Sequence, residues 1–176
     1  MSFEEGFLQD TVKRFKNYKD LGEKTFVQLE DKDFFFLASP ESNSIAVIVQ
    51  HIHGNMMSRF TNFLTEDGEK TWRKRDAEFE TAVTTKQDVI ALWDEGWQCV
   101  FDAIASLTPA DLTKTIYIRS EPLTVYDALL RQLAHYPHHI GQILFIGKMI
   151  KDSNWQSLSI PKNKSAQFND KMGHKA

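Results

Sequence analysis

Residues 125–151 read VYDALLRQLAHYPHHIGQILFIGKMIK. At roughly 100° per residue, Tyr126, Leu129, Leu130, Leu133, Ile140, Leu144 and Gly147 gather into one apolar stripe, which predicts a single helix from Val125 to about Lys151. His135 and His139 stand at i and i+4 on a shared face that continues through Ile143, Ile146 and Ile150, so that face is predicted to point inward. His138 falls on a different line, with Arg131 before it and Lys148 after it, and is predicted to face solvent. Pro137, inside the pair, removes a backbone hydrogen bond and can kink the helix.

Upstream of this helix, TIYIRSEPLTV (115–125) alternates and is rich in β-branched residues, which predicts a small hairpin turning at Ser120-Glu121-Pro122. Three more apolar stripes keep a helical period. Phe7, Leu8, Val12, Phe15, Tyr18, Leu21 and Phe26 predict a first helix from Phe3 to about Glu30. Ile45, Ile48, Ile52, Met56, Phe60 and Phe63 predict a second from about Asn43 to Leu64. Val89, Trp93, Trp97, Val100, Ile104 and Leu107 predict a third from Thr85 to Leu107, its two tryptophans being core or interface residues. Residues 69–86, with the run WRKRDAEFE dense in both charge signs, have no steady period and read as a long structured loop.

Four helices of about twenty residues are each about 30 Å long and bury matched stripes most readily as an all-α four-helix bundle, with the hairpin before the last helix. The chain of 176 residues is expected to be one domain over residues 1–160, followed by a polar tail at 161–176 whose end, NDKMGHKA, is expected to be disordered. Five prolines and eight glycines are few for a chain of many short strands. A net charge of -3, from 21 basic and 24 acidic residues, gives no electrostatic case for a nucleic-acid or anionic-membrane partner. A single cysteine, Cys99, excludes an internal disulfide and a multi-cysteine zinc finger. No stretch reads as a membrane span, and the acidic start MSFEEGFLQD is unlike a signal peptide, so a cytoplasmic location is expected.

Histidine is the unusual component. A His-x-x-x-His pair on one helical face can converge two ring nitrogens on one divalent transition metal, although such a pair also occurs in purely structural settings. No Glu follows His135, which rules out the His-Glu-x-x-His protease motif, and the Glu-x-x-His pairs of di-iron bundles are absent. A third ligand has two candidates in IVQHIHGNMMSR, His51 and His53. The line through His51 carries Ser44, Asn55, Ser58 and Asn62, which suits a polar pocket wall or a solvated face. The line through His53 carries Met57, Phe60 and Leu64, and periodicity does not choose between them.

The stretch NSIAVIVQHIHGNMMSRFTNFLTEDGEKTWRKRDAEFE, the hairpin, and LLRQLAHYPHHIGQILFIGK together resemble the DinB/YfiT-like superfamily, in a branch of undefined function, from about Leu8 to Pro161. The His-x-x-Gly-Asn element at His51–Asn55 and the His-x-x-x-His-x-Gly-Gln element at His135–Gln142 are the specific parts. The resemblance implies a four-helix bundle, a homodimer, and a divalent metal such as zinc or nickel on His51, His135 and His139. Characterised relatives look like S-transferases or isomerases that use low-molecular-weight thiols. The expectation is therefore a metal-dependent transferase or hydrolase that activates a thiol or water for a small-molecule substrate, with a non-catalytic metal-binding stress or interaction protein as the alternative. Arg73, Arg75, Asp76 and Glu78 are expected either to line the mouth of the site and bind a charged substrate or to form a solvated charged loop, and Asn55 and Gln142 either to hydrogen-bond around the site or to bond from helix to helix.

Overall fold

The computed structural model describes residues 1–80 and 82–173. Four long helices are present among them: α1 (Phe3–Phe26), α2 (Ile45–Phe60), α3 (Lys86–Ala105) and α4 (Val125–Lys151). A short helix, α5 (Ser165–Lys171), and one antiparallel hairpin, β1 (Thr115–Ile118) with β2 (Glu121–Thr124), complete the regular structure. Each long helix starts on a Ser or Thr whose side chain accepts from the backbone N–H three residues on: Ser2, Ser44, Thr85 and Thr124. α1 packs mainly on α4 and α2 mainly on α3, while α2–α4 and α1–α3 contacts close the arrangement around one core. No helix among the described residues is long and apolar enough to cross a membrane.

Two helices end earlier than their periodicity predicts. α1 stops at Phe26 rather than near Glu30, because the Asp33 carboxylate takes the Glu30 backbone N–H and a 3₁₀ turn at Asp31–Phe35 drives Phe34 into the core beside Phe26. α2 stops at Phe60 rather than Leu64 because Asn62 adopts a left-handed conformation (φ 50°) and its carbonyl receives the N–H groups of Thr65 and Glu66. The hairpin turns one residue earlier than expected, at Arg119-Ser120, where both φ values are positive (55° and 62°), as a type I′ turn requires. Pro122 is then a strand residue, tolerated because a two-stranded sheet has only edges. The Asp67 carboxylate holds the turn by accepting from the Arg119 and Ser120 N–H groups at 2.8 and 2.7 Å.

α4 has the bounds its sequence predicts and runs unbroken through Pro137. Its buried stripe is rotated from the expected one and holds Val125, Ala128, Leu129, Gln132, Tyr136, Ile140, Ile143 and Gly147, whereas Tyr126 and Leu130 are exposed. Apolar residues cover so much of this helix that a wheel cannot fix its rotation; the aromatic core does. Tyr136 is fully buried, with its ring centroid 5.9 Å from that of Phe15 and 5.8 Å from that of Trp97, which also packs on Trp93. Gly147 permits the close α1–α4 approach, since a Cβ there would stand 2.7 Å from Thr25 Cγ2. Within the segment expected to be a polar tail, α5 forms with every residue exposed. His174 and the rest of 174–176 lie outside the described residues.

Candidate metal centre

α2 presents His51 and α4 presents His135 and His139, and one ring nitrogen of each lies within 4.8 Å of the other two. His135 Nε2 and His139 Nε2 are 3.1 Å apart. Two nitrogens bound about 2.0–2.1 Å from one ion stand about 2.9–3.4 Å apart at octahedral or tetrahedral angles, so this spacing fits a shared ion. Three imidazoles are borderline donors suited to zinc, nickel, copper, cobalt or iron.

The neighbours fix which nitrogens are available. His51 Nδ1 donates to Glu78 Oε2 at 3.0 Å, and His139 Nδ1 donates to the Gln142 amide oxygen at 2.8 Å. With those protons placed, Nε2 of both rings carries a lone pair in the neutral state, that of His139 facing His135 Nε2 at 3.1 Å. Burial lowers the His135 pKa to about 3, helped by His139, His51, Arg73 and Arg59 nearby. Burial also lowers that of His139, with His51 and His138 in the same sense, against the Gln142 hydrogen bond. Both rings are therefore neutral at physiological pH, the protonation state a metal ligand needs.

Glu78 reaches His51 from the irregular segment. Gln50, beside His51, pins that segment to α2: its amide nitrogen lies 3.0, 3.0 and 2.7 Å from the carbonyls of Ala77, Glu78 and Glu80. Arg73 grips Glu78 bidentately, Nε to Oε1 at 2.6 Å and Nη2 to Oε2 at 2.9 Å. Burial opposes ionisation of Glu78, but the Arg73 and His51 hydrogen bonds and charges outweigh it and hold the carboxyl below the usual range. Gly54, one turn after Gln50, leaves room for the Glu78 carboxylate; a Cβ there would fall on it. Beneath the cluster the Tyr136 hydroxyl donates to Asn55 Oδ1 at 3.0 Å, both groups buried, tying the turn after His51 to the residue after His135.

The expected mouth of the site is thus revised. Arg73 and Glu78 are buried behind His51 rather than open to a substrate, because the loop folds onto α2. Arg75 does border the cleft that opens onto His51 and His135, and so does Asn55. Asp76 is exposed at the start of a 3₁₀ turn (Asp76–Phe79) and is not among the residues lining that cleft. Gln142 bonds His139 directly. His53 turns away to Glu95, and His138 is exposed. Sequence reasoning missed Tyr136 and Gln132. The polar line Gln132, His135, His139, Gln142, at spacings of three and four along an apolar helix, was the available signal for Gln132.

A mostly helical protein whose second and fourth long helices bring three histidines together, with partners fixed on two of the outer ring nitrogens, belongs to the class of helical proteins with a three-histidine group that can hold a metal ion. By sequence, the chain belongs to the family described as "Protein of unknown function (DUF1572)", whose profile matches residues 2–164. Searches of curated proteins and of solved structures gave no match to this chain.

Proposed function

We propose that this protein is a DinB/YfiT-like four-helix bundle, homodimeric and cytoplasmic, that holds one divalent transition metal ion, zinc or nickel, on His51, His135 and His139 and serves as a thiol S-transferase or hydrolase. The observation that carries this reading is the 3.1 Å approach of two neutral imidazoles with His51 beside them. A bound divalent ion supplies Lewis acidity that lowers the pKa of a water or thiol. The chain's own groups prepare the place for it. Glu78 and Gln142 hold two rings with Nε2 outward, Arg73 keeps Glu78 ionised, and the Tyr136–Asn55 bond sets α2 against α4. Cys99 does not border the cleft, and burial raises its thiol pKa, so a reacting thiol comes from a small-molecule partner. The exposed apolar side chains Tyr126, Leu130, Phe145 and Met149 along α4 give a homodimer a face to bury.

One observation favours a structural role for the ion. The site joins α2 to α4, which pack on each other less extensively than α2 on α3 or α1 on α4, so an ion there would clamp the fold. A panel of low-molecular-weight thiols with an electrophilic acceptor, run on metal-loaded protein, separates the two. Thiol-dependent product formation lost in His135→Ala supports catalysis. Absence of turnover together with a chelator-induced drop in Tm supports the clamp.

A further inference from the structure

The cleft beside the histidines has a volume of about 210 Å³, and among the described residues its wall contains four arginines, Arg59, Arg75, Arg119 and Arg131, and no carboxylate. The four converge from the end of α2, the irregular segment, the hairpin turn and α4. Three of them share one acid. Glu69 Oε2 lies 3.1 Å from Arg59 Nη1, 3.1 Å from Arg75 Nη2 and 3.3 Å from Arg119 Nε, with Arg73 Nη1 at 4.0 Å. Arg131 has, among the described residues, only the exposed Glu121, at 3.7 Å. Cationic groups therefore outnumber anionic ones around the opening.

A second, independent observation points the same way. Gln132 is 3% exposed and borders the same cleft, and its Oε1 lacks a hydrogen-bond partner among the described residues. The Nε of Arg75 is likewise buried without a partner. An open acceptor and an open cationic donor at a cleft wall are costly until a ligand or water meets them.

We propose that this cleft binds the carboxylate of a small substrate, one that carries an N–H or O–H donor next to that carboxylate. Planar guanidinium forks match a carboxylate bidentately, and Gln132 Oε1 accepts from the neighbouring donor, as in an α-hydroxy or α-amino acid. The volume is below the ~300 Å³ at which drug-sized pockets begin, so it takes a head group of a few atoms. Glu69 neutralises part of the cluster and holds three of its arginines in place before a ligand arrives. The other end of such a ligand lies toward His51 and His135, and in that respect alone the inference rests on the proposed metal site.

The test titrates L-malate, and its neutral counterpart malamide, into the protein as purified and after chelator treatment, with metal content measured on the same samples. Malate is expected to bind in both states and malamide in neither. Arg131→Gln and Arg75→Gln are each expected to weaken malate binding roughly tenfold or more while leaving metal content unchanged. His51→Ala is expected to lose metal and keep malate. Malate binding no tighter than malamide, or undiminished by both arginine substitutions, would overturn the carboxylate site even if metal loads normally. Malate binding in a protein that never takes up metal would support it and remove the metal reading instead.

Discussion

His51 and His53 stand two residues apart on α2, and each bonds a glutamate at nearly the same distance, 3.0 Å to Glu78 and 2.9 Å to Glu95. What surrounds the two pairs differs. The Glu78 side chain is 9% exposed and is gripped by Arg73, itself 1% exposed, whereas the Glu95 side chain is 60% exposed. The His51 ring faces those of His139 and His135 at 4.9 and 5.6 Å, while His53 lies on α2's other flank, toward α3. A histidine–carboxylate bond is therefore not by itself a sign of a site. Burial of the carboxylate, a second charged partner and convergence with further ligands separate the two pairs.

The largest break in this contrast comes from Arg73. Arg73→Met leaves the Glu78 carboxylate buried without its main cation, and is expected to lower unfolding free energy by about 3–5 kcal/mol, measured by urea denaturation. Glu95→Gln, the matching change on the exposed pair, is expected to cost less than about 1 kcal/mol. Gly54→Ala comes next: its Cβ displaces the Glu78 carboxylate, with an expected cost of about 1–3 kcal/mol and weaker metal uptake in a competition assay. Glu78→Gln keeps the shape but removes the charge that orients His51. It is expected to weaken metal binding by about 10–100-fold, against no change for Glu95→Gln.

Acid stability gives a further test. Folded His135 titrates at about 3, while an unfolded histidine titrates near 6.5, so the unfolded chain takes up the proton first as pH falls. Stability of the metal-free protein is then complete above about pH 6.5 and declines progressively toward pH 3. Thermal melts across that range should show a shallower decline in His135→Gln.

The helices and the histidine pair on α4 were legible because both depend on local periodicity, and a 3.6-residue repeat is written in the chain. The rotation of α4 was not, since it is set by Tyr136 packing on Phe15 and Trp97 from two other helices. His51 was distinguishable from His53 only through family resemblance, because the choice depends on which flank of α2 meets α4. The run WRKRDAEFE gave only its mixed charge. Its structure comes from Gln50 collecting three carbonyls and from Arg73 reaching Glu78, contacts that no repeat encodes.

The central claim is that three histidines on two helices bind one ion and that their near neighbour does not. Elemental analysis of the wild type, His51→Ala and His53→Ala after equal loading with zinc or nickel tests it most directly. About one equivalent in the wild type and in His53→Ala, with a large loss in His51→Ala, is the predicted result. A wild type that retains no metal, or a His51→Ala protein that retains as much as His53→Ala, would contradict it.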